Sequence, residues 1–203
     1  FLMRDIAANK NFFLKDDADY VIITGSSDVC NIDYTPIIEK HHNSGNPITI
    51  VTKKVDDAEN YSGYFVKRDK YGKVSELTTK MEGEADYFID CFVVDRTFMI
   101  DFIDWFESLD HMDIMDIISL NLDKFSVGTY EFYGYFGKVS NLMDYYRVNM
   151  ELLEPRVMRE LFGNERIIYT KVQDEAPTQF KPTSKVKNSL IAAGCTIEGV
   201  VEN

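Results

Sequence analysis

The sequence predicts an α/β domain with a mixed sheet, followed by the start of a left-handed parallel β-helix. Short β-rich apolar segments alternate with amphipathic helical segments through most of the chain, and this alternation is typical of α/β domains. Near the carboxyl end an aliphatic residue recurs every six positions, as in hexapeptide solenoids. We therefore expect an α/β domain over residues 1–153, a proline-marked connector over 154–186 and the first hexapeptide repeats over 187–203.

Composition and charge limit the possible partners. The 203 residues include 45% hydrophobic and 13% aromatic residues, which is enough for a globular core. The formal net charge is -12, and such an acidic surface repels polyanions. We therefore expect neither a nucleic acid nor a membrane as partner. A small phosphorylated ligand, held by one or two local cations, remains compatible with this charge.

The cysteines and the chain ends indicate the compartment and the context. Cys30, Cys91 and Cys195 are far apart and form no CxxC pair, so neither a disulfide framework nor a zinc knuckle is predicted. Reduced thiols in a cytoplasmic protein are the expected state. The sequence shows neither an apolar run of ~20 residues nor a signal peptide. Because the opening FLMRDIAANKNFF is typical of the middle of a helix, we expect a piece of a longer protein.

Apolar runs and turn residues predict the strands of the sheet. YVIIT at 20–24 is expected to be a strand buried on both faces, because its apolar run is unbroken. PITIVTKK and DYFIDCFVVD are further predicted strands, and GYFVKRDKYGKVSELTTK predicts a hairpin around Asp-Lys-Tyr-Gly. YEFYGYFG predicts a long aromatic strand, and we expect Tyr130 to Phe136 to form a buried strand rather than a base-stacking platform.

Capping residues and apolar stripes predict the helices. Asp33 or Thr35 is expected to cap a helix with Pro36 in its first turn and Gly45 past its end. TFMIDFIDWFESL and MDIMDIISLNL each carry one apolar stripe, and FLMRDIAANKNFFL is loosely amphipathic. Ser140 is the predicted cap of SNLMDYYRVNMELL, and PRVMRELF is a short helix that ends at a glycine.

The first predicted strand ends where a ligand site is expected. It runs into Gly-Ser-Ser-Asp at residues 25–28, and a helix follows after Tyr34. Ligands of α/β sheets sit at the carboxyl ends of strands, beside such small-residue turns. The turn therefore raises the question of which acid would serve this site.

Together, these features resemble the sugar-phosphate nucleotidyltransferases, and several stretches are similar to the bacterial ADP-glucose pyrophosphorylases. The similar stretches are YVIITGSSDVCNIDYTPIIEKHHNSG, KVSELTTK, YGYFGKVSNLMDYYRVNMELL and the hexads beginning at Ile191 and Ile197. The resemblance implies a nucleotidyltransferase-like, GT-A/Rossmann-like mixed sheet followed by a β-helix. It also implies that the family's N-terminal phosphate loop and most of the β-helix lie outside this sequence.

The resemblance implies an altered active site. In the family, Mg²⁺ is held between two aspartates, and these positions fall on Ser27 and Tyr135 here. Neither side chain supplies the carboxylate that Mg²⁺ prefers, so we expect that this chain retains no metal cofactor and no catalytic residue. Asp28, one position beyond Ser27, is the alternative acid.

The resemblance also implies contacts with substrate and effector. In the family a glutamate-lysine pair binds the sugar phosphate, and here Thr79 stands in the glutamate's place while Lys80 remains, as a residual anion contact. Lys15 lies near a basic effector position of the family. His41 and His42 point about 100° apart on a helix, unlike a chelating i, i+4 pair, and are expected to be surface histidines, while His111 is expected at a helix start.

Three hypotheses follow for the function. The first is a GlgD-type regulatory subunit that assembles with the catalytic subunit of glucose-1-phosphate adenylyltransferase in glycogen biosynthesis. The second is an active sugar-phosphate nucleotidyltransferase that uses Asp28. The third is a hexapeptide-repeat acyltransferase or scaffold, although such acyltransferases usually place a histidine in or beside the coils and none follows His111.

Overall fold

The computed structural model describes residues 2–163, 166–169, 171 and 174–202. The chain divides into two compact units, Phe1–Ser140 and Asn141–Asn203, and each is described by itself. The domain boundaries predicted after residues 153 and 186 stay predictions.

The first unit is built on a mixed sheet. Its six strands lie in the order β5-β4-β6-β3-β7, with β1 also paired to β6. The β3–β7 pair is parallel, whereas the other pairs are antiparallel. A separate antiparallel pair joins β2 and β8. The strands are β1 Tyr20–Thr24, β2 Asp28–Val29, β3 Ile48–Val55, β4 Phe65–Arg68, β5 Val74–Thr78, β6 Ala85–Asp95, β7 Val127–Glu131 and β8 Gly137–Lys138. The predicted mixed α/β sheet is thus confirmed.

Helices cover both faces of this sheet. The helices of the first unit are α1 Met3–Ala7, α2 Lys10–Lys15, α3 Thr35–Ser44, α4 Arg96–Trp105 and α5 Ile114–Ser119. One core cluster joins α1, α2, α4 and α5 to the sheet, and the other includes Ile37 of α3. Residues of β6 alternate between the two clusters, because successive side chains of a strand point to opposite faces. Phe92 and Val94 belong to the first cluster, and Cys91 and Val93 to the second.

Most local signals produce the expected elements. Gly45 ends α3 with a φ of 65°, a left-handed conformation that favours glycine. The prediction of Asp33 or Thr35 as the cap of α3 was wrong, because Tyr34 occupies the N-cap position and its side chain forms no capping hydrogen bond. Asp33 Oδ1 still accepts a hydrogen bond from the Thr35 amide at 3.0 Å. Asp113 caps α5 by accepting from the Met115 amide at 2.8 Å, so the helix start expected near His111 is confirmed.

The amino-terminal segment and β1 differ from the prediction. The expected amphipathic helix is two short helices, α1 and α2, and Phe12 is exposed while Phe13 is buried. The side chains of β1 are half-buried, except for the exposed Thr24, so the prediction of burial on both faces was wrong. Strand β1 pairs with β6 and with no second strand among the described residues. One of its edges is therefore left uncovered, and its side chains stay partly exposed.

The aromatic run after β7 is not one buried strand. Strand β7 ends at Glu131, residues 132–136 are irregular, and Tyr133 is exposed. An aromatic run marks apolar character but does not reveal where a backbone leaves the ladder. The predicted cap Ser140 was also wrong, because Asn141 accepts the hydrogen bond from the Asp144 amide at 3.0 Å.

The described residues of the second unit form two helices and two short parallel ladders. The elements are α6 Leu142–Glu151, α7 Pro155–Phe162, β9 Gln179–Phe180, β10 Lys185–Lys187, β11 Thr196–Ile197 and β12 Val200–Glu202. Strand β9 pairs with β11, and β10 pairs with β12. Gly163 follows α7 directly, as predicted. Among the described residues, none of the helices has the length and apolar character that crossing a bilayer requires.

Candidate functional site

The two loops singled out from the sequence meet in the structure. In the ladder between β2 and β8, Asp28 lies opposite Lys138. The amide of Val139 donates a hydrogen bond to the carbonyl of Ser27 at 2.9 Å, which extends this pairing by one position. The turn that holds Ser27 and the loop that holds Tyr135 are therefore joined by backbone hydrogen bonds.

An ion-pair triad occupies this junction. The Lys138 ammonium lies 2.9 Å from Asp28 Oδ1, and it also donates a hydrogen bond to Asp90 Oδ2. The side chains of Asp28 and Lys138 are only 4% and 11% exposed, whereas that of Asp90 is 30% exposed. Two carboxylates thus share one largely buried ammonium group, which leaves the triad with one net negative charge.

Burial and charge shift the pKa of both central groups. Burial raises the pKa of Asp28, and the neighbouring Lys138 ammonium opposes this only in part. Burial lowers the pKa of Lys138, but its contacts with the carboxylates of Asp90 and Asp28 outweigh burial, so the net pKa is raised. Neither carboxylate oxygen of Asp28 accepts a well-aligned hydrogen bond in the described part of the chain. The charge of Asp28 is therefore balanced by the single ammonium group of Lys138.

A bulge in β6 directs Asp90 toward Lys138. Between the pairs Ile50–Phe92 and Thr52–Phe88, β3 advances two residues while β6 advances four, which is an irregularity of the bulge kind. Asp90 lies inside this segment with a φ of 44°, a conformation that costs a non-glycine residue roughly 1–2 kcal/mol. Such strain persists where surrounding contacts hold it, and the ion pair with Lys138 is one of them.

A cleft near the end of β5 contains two further predicted residues. Its volume is about 650 Å³, and it is lined by Ala58, Glu59, Tyr61, Phe65, Thr79, Lys80, Met81 and Glu82. Strand β5 ends at Thr78, so Thr79 and Lys80 lie just past the strand and not on it. Both are exposed, and the Lys80 ammonium forms no ion pair with any described residue. Among the described lining residues, Lys80 is the cation, and Glu59 and Glu82 contribute two carboxylates.

Aromatic side chains connect the cleft to the loop that precedes Lys138. The ring of Tyr87 lies 5.1 Å from that of Tyr61 and 5.8 Å from that of Phe136. The hydroxyl of Tyr87 donates a hydrogen bond to the Ser62 carbonyl at 2.8 Å. Burial, the largest effect, raises the pKa of Tyr87 to about 12. The aromatic cluster is thus an uncharged set of packed rings between the cleft and the residues that precede Lys138.

The remaining predicted residues do not join this site. Lys15 is exposed at the end of α2 and has no hydrogen bond or ion pair with the triad or the cleft among the described residues. The prediction that both histidines of α3 lie on the surface was wrong for His41, which is 1% exposed. Its ring nitrogens lie 2.8 Å from Thr49 Oγ1 and 3.3 Å from Asp95 Oδ1. His41 is a hydrogen-bonded core residue, because α3 packs on the sheet through that face.

The residues at the junction do not fit a magnesium ion. Mg²⁺ needs hard oxygen ligands, usually carboxylates, in near-octahedral geometry. Ser27 offers a neutral hydroxyl and Tyr135 a phenol, and Asp28 is paired with an ammonium. The described residues contain no group of three or more histidine, cysteine or acidic side chains that could hold a metal ion. We therefore derive no chemical step through a metal at this site.

Sequence reasoning missed Asp90 and Lys138. One signal for Asp90 was present, because a charged residue inside the apolar strand DYFIDCFVVD is rarely buried without a partner. Lys138 carried no comparable signal, since a lysine after a glycine is usually a solvated surface residue. The two residues are 48 positions apart in the chain.

The fold is that of a known class of solved structures. The chain is similar to the crystal structure of HddC from Yersinia pseudotuberculosis, with a TM-score of 0.54 and 20% identity over 70% of this chain and 59% of that chain. HddC from the same organism complexed with GMP-PN gives a TM-score of 0.53 with 19% identity and the same coverage. At this identity the likeness shows the fold alone, which is nucleotidyltransferase-like.

Curated relatives define the resemblance more closely. No protein-family model matches the chain. The glycogen biosynthesis protein GlgD of Bacillus subtilis (strain 168) is 26% identical over 98% of this chain and 49% of its own length. GlgD of Geobacillus stearothermophilus is 28% identical over 95% of this chain and 47% of its own length. The glucose-1-phosphate adenylyltransferase of Pseudothermotoga lettingae is 26% identical over 92% and 46%, respectively.

These relatives confirm the resemblance found in the sequence. The chain is similar to the bacterial ADP-glucose pyrophosphorylases, and to their GlgD-type relatives in particular. It spans about half the length of the curated relatives that it matches.

Proposed function

We propose that this chain is part of a non-catalytic regulatory subunit of glucose-1-phosphate adenylyltransferase, which acts in glycogen biosynthesis. In this proposal its catalytic partner joins ATP and glucose 1-phosphate into ADP-glucose and releases pyrophosphate. The chain itself contributes to assembly and to the response to a small phosphorylated effector. The similarity to two GlgD proteins supports this assignment.

The observation that carries the proposal is the state of the acids at the junction. The family positions for the two acids hold Ser27 and Tyr135, and the alternative acid Asp28 is ion-paired with Lys138 at 2.9 Å. A carboxylate paired with a buried ammonium is a poor ligand for magnesium, because the two cations would compete for the same oxygens. The alternative of an active enzyme that uses Asp28 is therefore disfavoured.

Features of the second unit support a role in assembly. Its ladders are parallel, as in a β-helix, and join residues 15 or 17 positions apart, which is slightly short of three six-residue repeats. A β-helix remains our proposal for this region. Ile191, Cys195, Ile197 and Val201 are half-buried, as the hexad pattern requires. Helix α6 exposes the large apolar residues Leu142, Met143, Tyr145 and Tyr146, which is typical of interaction surfaces.

A turnover assay tests the proposal. The complete protein is assayed for ADP-glucose synthesis alone and mixed with a catalytic subunit, with magnesium present. We expect no synthesis by the protein alone and, in the mixture, an altered rate or an altered response to phosphorylated effectors. Robust synthesis by the protein alone would contradict the proposal, and its loss in an Asp28→Asn variant would establish Asp28 as the acid instead.

A further inference from the structure

We propose that Lys138 is a built-in cation, which takes the place of a divalent metal ion and joins the two loops of the site. Lys138 lies on β8, Asp28 on β2 and Asp90 in the bulge of β6, so a single ammonium group connects three separate elements. This proposal rests on the proposed function in one respect, namely that the wild-type site works without a metal ion.

The geometry of Asp28 is the main reason for this inference. Both of its oxygens are buried without a well-aligned hydrogen bond among the described residues, and its side chain is 4% exposed. A buried carboxylate is usually stabilised by several hydrogen-bond donors. Asp28 is instead stabilised by the charge of the Lys138 ammonium, 2.9 Å from its Oδ1. A carboxylate that binds a metal ion is stabilised by a neighbouring cation in the same way.

The position of Asp90 is the second reason. Its backbone holds a φ of 44°, and its side chain reaches the same ammonium group as Asp28. Such strain persists where surrounding contacts hold it, and the ion pair with Lys138 is one of these contacts. The two carboxylates converge on one ammonium group from two separate strands, β2 and β6, as ligands do around a metal ion.

The inference predicts what happens when the ammonium is removed. Without Lys138, two converging carboxylates would lose their shared cation. Such a pair either takes up a proton or binds a cation from solution. A variant without Lys138 should therefore gain a divalent-cation site that the wild-type protein does not have.

Manganese binding tests this prediction directly. Free Mn²⁺ is measured by electron paramagnetic resonance in titrations of the wild-type chain, Lys138→Ala and Asp28→Asn/Lys138→Ala. We expect Lys138→Ala to bind one Mn²⁺ at least about tenfold more tightly than the wild type or the double variant, because only it presents two uncompensated carboxylates. Thermal unfolding should show a rise in Tm with Mn²⁺ in Lys138→Ala alone. The exposed Lys67→Ala is the matched control.

These variants distinguish a lysine that replaces a metal ion from an ordinary buried ion pair, and the proposal stands or falls on their cation binding and folding. A folded Lys138→Ala with wild-type affinity for Mn²⁺ would overturn it, and so would a wild-type Mn²⁺ site that Asp28→Asn removes. If Lys138→Ala folds only when Mn²⁺ is present, the inference is supported. If that variant stays unfolded with Mn²⁺ while Asp28→Asn/Asp90→Asn/Lys138→Met folds, it is overturned. Because these measurements read cation binding and folding, they can fail independently of the turnover assay.

Discussion

The backbone amide of Gly25 donates a hydrogen bond to the carbonyl of Asp90 over 2.7 Å. This contact brings the end of β1 against the bulge in β6. A Cβ atom built on Gly25 would lie 2.9 Å from the Cβ of Asp90, which is closer than two such atoms approach in folded proteins. Gly25 is therefore required by close approach, and the position of Asp90 depends on it.

Replacement of Gly25 by alanine should destabilise the protein. We expect Gly25→Ala to lower the free energy of unfolding by about 1–3 kcal/mol, as overpacked positions do, in urea denaturation followed by circular dichroism. The cost should fall in an Asp90→Gly background, because the opposing Cβ is then absent. An equal cost in both backgrounds would show that the contact with Asp90 is not its cause.

Arg68 should be more important for stability than its neighbour Lys67. The Arg68 guanidinium bonds to Asp86, to Thr129 Oγ1 at 3.2 Å and to Thr52 Oγ1 at 3.3 Å. Because Asp86 would be left largely buried and unpaired, we expect Arg68→Met to cost about 3 kcal/mol.

Lys67→Met is the matched control for this prediction. Lys67 pairs with Glu76 at 3.0 Å, and both side chains are about half exposed, so its loss should cost about 0–1 kcal/mol. Chemical denaturation of both variants measures the difference. Similar costs would mean that the Arg68 network does not stabilise the fold.

His41 should make stability depend on pH. Burial lowers the pKa of His41, although the carboxylate of Asp95 raises it in part. The folded state therefore binds fewer protons at this ring than the unfolded state. The stability from neutral His41 is present above about pH 6.5, the ordinary pKa of histidine, and is lost as the pH falls through that value toward the lower folded pKa.

Unfolding free energies between pH 7.5 and pH 5 measure this effect. We expect His41→Gln to be less stable at pH 7.5, because its contacts with Thr49 and Asp95 change, but to lose less stability on acidification than the wild type. The exposed neighbour provides the control, since His42→Gln removes a histidine outside the core. An unchanged pH dependence in His41→Gln would refute the assignment.

Lys80 should provide the charge for anion binding in the cleft. In the proposed function the chain responds to a small phosphorylated effector, and we expect Lys80→Ala to weaken the binding of a sugar-phosphate probe by about tenfold or more, since a hydrogen bond to a charged group contributes about 1.5–3 kcal/mol. Isothermal titration calorimetry measures the affinity. Lys70→Ala in the hairpin turn makes the same change in charge away from the cleft, so an equal loss in both variants would argue against a specific contact.

The strands and helices were predictable where their signals are local. Gly45 and Pro36 marked the ends of α3, and Asp-Lys-Tyr-Gly marked the hairpin turn, because these residues constrain their own backbone. The break at residues 132–136 was not predictable in this way. It depends on where the chain ends its pairing with β3 and begins its pairing with β2, and both are tertiary contacts.

The site was predictable only in outline. The resemblance identified the loops of Ser27 and Tyr135, and the ladder between β2 and β8 joins these loops. The triad was not predicted, because its members come from three distant segments and each is an ordinary residue in its own context. His41 was misread for the same reason, since adjacent histidines on a polar helix give no sign that one of them faces the sheet.

The ammonium group of Lys138 has a consequence for how this protein meets its surroundings. A coordinated ion leaves when a chelator or a competing polyphosphate captures it, but a charge carried on the polypeptide cannot be exchanged. We therefore expect the shape of the two loops to be independent of the free magnesium concentration.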